Sequence, residues 1–62
     1  ANVRARAGHI IITGASDMNV SVTRHDGITI FSNAGSDFID VAADKGVYIV
    51  RLGSRTVKVL VQ

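Results

Sequence analysis

The sequence predicts an all-β protein, an antiparallel Ig-like β-sandwich of about seven short strands. Three observations predict it. Turn-forming clusters recur at short spacing: Gly8, Gly14-Ala15-Ser16-Asp17, Asp26-Gly27, Asn33-Ala34-Gly35-Ser36, Asp44-Lys45-Gly46 and Gly53-Ser54. Short apolar stretches between such clusters are the mark of a sandwich or barrel. The apolar residues are mostly Val, Ile and Ala, and β-branched side chains suit a pleated, half-buried surface. Finally, no segment places apolar residues at i, i+3, i+4 and i+7 for even three turns, so helix signals are poor.

In chain order, strands are expected at 3–6, 9–13, 18–24, 28–32, 37–41, 46–52 and 55–61. In the first, Arg4 and Arg6 alternate and face solvent. The run Ile10-Ile11-Ile12 does not alternate, which predicts a central strand covered on both faces. Met18-Asn19-Val20-Ser21-Val22-Thr23 alternates strictly, so one face is buried and the other meets water. After it, His25-Asp26-Gly27 forms a three-residue loop with Gly27 in the left-handed conformation. That loop pairs Val22 with Ile30 and puts Val20, Val22, Ile28 and Ile30 on one face, whereas a two-residue Asp-Gly turn would pair Val22 with Phe31 and split them.

The last hairpin is the strongest feature. Gly53-Ser54 suits a type II′ turn, with Gly53 supplying the positive φ. Leu52 then pairs with Arg55, Val50 with Val57 and Tyr48 with Val59. Tyr48, Val50, Leu52, Val57, Val59 and Val61 form an inward face. Arg51, Thr56 and Lys58 lie on the other, with Val47, Ile49 and Leu60 gathered at its far end.

Composition bounds the function. The 62 residues suffice for one β-sandwich domain spanning 1–62, and a domain of this size buries only about 60% of its unfolded surface. With 47% hydrophobic residues and a mean hydropathy of +0.30, the chain is globular and not disordered. There is no cysteine, hence no disulfide and no thiolate metal site. The net charge of +2 comes with no run of five like charges, and stacking aromatics beside a basic stripe are missing, so no nucleic-acid partner is expected. No apolar run approaches the roughly 18 residues of a membrane span. The opening Ala1-Asn2-Val3-Arg4-Ala5-Arg6 carries no leader-like hydrophobic stretch, so an exported form would take its targeting leader from elsewhere in a longer protein.

Catalytic and metal chemistry find no support. His9 and His25 are the only histidines and lack ligand spacing, so no metal site is expected. His9 sits at a strand edge and His25 in a turn. Asp37 and Asp40 fall on opposite faces of their strand and cannot form an acid–base pair. Asp44 with Asn33 could supply oxygens to calcium, but turn and cap roles explain the aspartates more simply. Gly14-Ala15-Ser16 lacks the flanks of a nucleophile elbow. The chain is expected to be no enzyme and to need no cofactor.

The segment from Gly46 to Gln62 resembles the ending of type IX secretion (Por secretion) C-terminal sorting domains. In that family a Gly-apolar-Tyr-apolar-Val-Arg strand, a short polar turn and a Lys-Val-apolar-Val strand close the chain. Gly46, Val47, Tyr48, Val50 and Arg51 match the first strand; Lys58, Val59 and Val61 match the second. Asn19 to Gly27 is similar to the family's middle hairpin. The Tyr-Pro-Asn-Pro-like opening of the family is missing, because the chain has no proline. The resemblance implies a non-catalytic C-terminal module of a larger protein. It would carry an upstream cargo through the periplasm and across the outer membrane of Bacteroidetes-type bacteria to the cell surface or medium. Its partners would be the secretion machinery and a sortase-like peptidase, and those eight residues its recognition site. The other reading is a structural or adhesive spacer or accessory module of a surface protein.

Overall fold

A computed structural model of residues 1–62 contains seven strands: β1 (Asn2–Arg6), β2 (His9–Thr13), β3 (Asn19–Arg24), β4 (Thr29–Ala34), β5 (Phe38–Ala42), β6 (Gly46–Leu52) and β7 (Arg55–Val61). They form two antiparallel sheets, one ordered β1-β2-β5 and the other β4-β3-β6-β7. The protein is a small all-β sandwich. Three hairpins (β1–β2, β3–β4 and β6–β7) are tied together by the long-range pairings β2–β5 and β3–β6, and the β2–β3, β4–β5 and β5–β6 connections cross between the sheets.

Alternation in each strand builds the core. Ile10, Ile12, Ile39 and Val41 come from the three-stranded sheet, and Val20, Val22, Tyr48, Val50, Leu52 and Val61 from the four-stranded one; Ala15 and Ala43 plug the ends from the crossing loops. Each of the larger side chains contributes about 1.5–3 kcal/mol by leaving water. Val57 and Val59 lie on an edge strand and are only partly buried against this cluster.

Two expectations of the sequence are corrected. The loop His25-Asp26-Gly27 is the three-residue form: Gly27 has φ +89°, its N–H donates to the Arg24 carbonyl (2.9 Å), and the Arg24 N–H donates to the Ile28 carbonyl (2.8 Å). Yet Val22 pairs with Phe31 and not with Ile30, while Thr23 pairs with Thr29. Ile30 is therefore the extra residue of a β-bulge. A bulge sets two residues against one, and here it allows the adjacent Ile30 and Phe31 both to pack on the core. Ile28, expected on the buried face, lies beyond the core at the hairpin tip and is 53% exposed. The second correction concerns Ile10-Ile11-Ile12. The strand is central in its sheet, but nothing layers over its outer face. Ile11 is half-buried there, opposite Arg4 on one side and Asp40 on the other.

The closing hairpin has the expected register at every rung, from Leu52↔Arg55 through Val50↔Val57 and Tyr48↔Val59 to Gly46↔Val61. Gly53 has φ +62° and no non-glycine residue has positive φ, which makes the turn type II′.

Candidate recognition surface

Tyr48 opens the site because it anchors the start of β6 to the core. Its ring is buried, and its hydroxyl donates a 2.7 Å hydrogen bond to the carbonyl of Asp44, four residues earlier across the β5–β6 connection. A tyrosine near the start of the sixth strand, bonded back to the backbone just upstream, is the tyrosine corner of Ig-like sandwiches. Gly46 sits two residues before it in the corner itself. Tyr48 is thus employed by the fold, while Val47 beside it faces outward and is half-buried. A shallow cleft of about 400 Å³ opens beside this corner, lined by Arg24, Lys45 and Tyr48 among others. The Tyr48 hydroxyl gives its one hydrogen to the Asp44 carbonyl and so offers the cleft no donor.

Of the eight residues that carry the resemblance, Tyr48, Val50 and Val61 are buried. Gly46, Val47 and Val59 are half-buried, and Arg51 and Lys58 are exposed. The alternation of β6 and β7 sends Tyr48, Val50 and Val61 inward and Val47, Arg51 and Lys58 to the outer face of the four-stranded sheet.

Asn19 and Ala34 begin that outer face, and three rungs follow. Ser32, Ser21, Arg51 and Thr56 form one; Thr29, Thr23, Ile49 and Lys58 the next; Val47 and Leu60 the last. Thr23 and Thr29 hydrogen-bond through their hydroxyls at 3.3 Å. Leu60 is 55% exposed. The four strands contain no acidic residue. The ion pairs of the molecule are His9–Asp40 (2.9 Å) on the other sheet and Arg24–Asp26 in the hairpin loop, so neither Arg51 nor Lys58 has a carboxylate partner. A shallow concavity of about 210 Å³ lies between Asn19, Ser21, Ser32 and Arg51. This is smaller than the roughly 300 Å³ at which small-molecule sites begin, so it fits a side chain and not a cofactor. The contribution of β3 to this face was invisible to sequence reading, because the β3–β6 pairing joins segments about thirty residues apart.

The other candidates separate. No three of the His and Asp side chains converge on a metal position. Asn33 pairs with Val20 at one end of β3, and its Oδ1 accepts from the Ala34 N–H. Asp44 lies by Tyr48, which pairs with Arg24 at the other end. About 13 Å of strand divides them, so the calcium arrangement of Asp44 with Asn33 does not form. His9 starts β2, as expected, and its Nδ1 contacts Asp40 Oδ1 at 2.9 Å, a cross-strand pair that only the β2–β5 register brings together.

In the β3–β4 loop, Arg24 donates to Asp26 Oδ2, and Asp26 Oδ1 accepts from the Ile28 N–H. The hydrogen bond from Arg24, helped by the Ile28 amide, holds the Asp26 carboxyl below its usual range, and the same bond raises Arg24. A depressed carboxyl stabilises the fold above its unfolded value near pH 4 and loses that contribution as the pH falls through the folded value. Asp26→Asn is therefore expected to shift the urea midpoint at pH 7 and to shift it less at pH 3. A gap between the two proteins that stays constant or widens in acid would contradict this.

Residues 1–61 match DUF6383, a domain of unknown function. The chain belongs to the DUF6383 family. No curated protein and no solved structure matches it. In this DUF6383 domain, then, the outer face of β3, β6 and β7 is the surface at which unpaired cations, hydroxyls and exposed apolar groups meet.

Proposed function

We propose that this DUF6383 domain is a non-catalytic recognition module, a C-terminal sorting and anchoring signal for a larger exported protein. The upstream cargo would pass from the periplasm through type IX secretion machinery to the cell surface or medium. A sortase-like peptidase would act after arrival. The observation that carries this reading is the two-sidedness of the β6–β7 hairpin. Tyr48, Val50 and Val61 hold it to the core, while Arg51 and Lys58 stand unpaired on a face without acids. The likeness of these strands to sorting-domain endings supplies the partner. Gly46, Tyr48, Val50, Val59 and Val61 would contribute by shaping the hairpin, and Val47, Arg51 and Lys58 by contact.

The test is export of a reporter fused upstream. Removal of residues 55–62 is expected to abolish it, and Arg51→Glu with Lys58→Glu to impair it without unfolding, since both side chains are exposed. Unimpaired secretion of the truncated fusion rejects the sorting role. A second reading, a structural or adhesive spacer, draws on the tyrosine corner: if the fold alone accounts for Gly46 and Tyr48, those residues need no partner.

A further inference from the structure

The geometry points to an extended acidic segment of a partner protein, with the pattern acid-x-acid-x-apolar, as the occupant of the outer face of β6 and β7; we propose that it docks there. This rests on the recognition reading above and specifies the chemistry of the partner. Arg51 faces Thr56, and Lys58 faces Ile49, so the two cations are diagonal neighbours across the β6–β7 pair. Diagonal positions in an antiparallel pair are about 7 Å apart. In an extended chain, side chains two residues apart point the same way and lie about 6.6–6.8 Å apart. One face of an extended segment therefore matches Arg51 and Lys58 with two carboxylates. The next residue on that face reaches the rung of Val47 and Leu60, where an apolar side chain covers a leucine that is 55% exposed. The concavity beside Arg51, walled by Asn19, Ser21 and Ser32, adds hydroxyl and amide donors for the first carboxylate.

Charge complementarity selects this occupant over a second copy. Two-fold association through the face would set Arg51 and Lys58 against their own counterparts, and no strand of the sheet offers an acid to relieve them.

The experiment is titration of the ¹⁵N-labelled 62-residue chain with a capped peptide carrying Glu-Thr-Glu-Thr-Leu, and with the same peptide bearing Gln for Glu. The Glu peptide is expected to perturb amides of Thr23, Ile49, Arg51 and Lys58 and to bind more weakly at high salt. Arg51→Gln with Lys58→Gln is expected to weaken binding about fivefold or more, as two exposed charge pairs allow. Arg4→Gln with Arg6→Gln, on the other sheet, is expected to leave it unchanged. Equal binding of the Gln peptide, or equal loss from the Arg4/Arg6 variant, overturns the proposal. So does concentration-dependent dimerisation through this face, or sedimentation with phosphatidylglycerol vesicles that depends on Arg51 and Lys58 while the peptide fails to bind. Loss of export on truncation without peptide binding rejects the docking surface and leaves the sorting role. Peptide binding with unimpaired export of the truncated fusion rejects the sorting role and leaves the surface.

Discussion

Gly35→Ala is expected to leave the domain largely unfolded at 25 °C. A β-carbon built on Gly35 would stand 1.8 Å from the Ala15 carbonyl oxygen and 2.5 Å from that of Met18. Both obstacles are backbone, so no side chain can swing aside. Neither can the segments slide. The Gly35 N–H donates to the Met18 carbonyl at 2.8 Å, the Ala15 N–H to that of Ser36 at 3.3 Å, and the Gly14 N–H to that of Asp37 at 3.0 Å. These bonds lace the β2–β3 connection to the β4–β5 connection, and buried Ala15 sits between them. Close approach of two backbones is what glycine alone permits. Overpacking usually costs about 1–3 kcal/mol and costs more where neighbours are fixed. A 62-residue chain has a total stability of only about 3–9 kcal/mol. Circular dichroism and a urea titration check the result; a cooperative midpoint near that of the parent protein would show that the loops yield. Gly8→Ala is the comparison, since nothing lies within 4 Å of its would-be β-carbon and its cost arises from φ +76° alone.

Tyr48 is the second site of large effect, and two substitutions separate its two contributions. Tyr48→Ala removes a ring that is 4% exposed from one end of the core, and truncating a buried aromatic costs about 3–5 kcal/mol. That is comparable to the whole stability of the domain, so the variant is expected to be unfolded. Tyr48→Phe keeps the ring and loses the hydrogen bond to Asp44, with an expected cost of about 1 kcal/mol and a two-state transition retained. A near-parental melting curve for Tyr48→Ala would remove the ring from the core. A Tyr48→Phe protein as stable as its parent would show that the corner bond adds nothing to stability.

The strands were legible because their signals are local. Val20 and Val22 alternate with Asn19, Ser21 and Thr23, and Gly53 sets the closing turn; from those residues alone the β6–β7 register follows rung by rung. The bulge at Ile30 escaped because turn chemistry fixes register only at the loop. The signal that could have found it is the tandem Ile30-Phe31, two adjacent apolar residues on a strand with one core-facing side. Gly35 falls in a turn-forming cluster of the sequence. Its actual role depends on Ala15 and Met18, some twenty residues earlier, and no local pattern reports that. The same holds for His9 with Asp40 and for Ser21 beside Arg51: each contact crosses between hairpins, and the strand order that creates it is not written in either segment. The tyrosine corner lay within reach, since Asp44 four residues before Tyr48 is a local spacing. The outer face of the four-stranded sheet was half legible, as far as one hairpin can make a face.

The interleaving of hairpins also governs assembly in time. Val20 pairs with Leu52 and Ile12 with Ile39, so the ladder at the heart of each sheet joins parts of the chain that are far apart. Closing such loops costs entropy before any burial rewards it, which places folding among the slower small domains, at milliseconds to seconds. A nascent chain interrupted before Gly46 holds two hairpins but lacks β6, the only neighbour of β3 besides β4. Until that strand arrives, β3 pairs with β4 alone and its other edge, from Val20 to Arg24, stays open.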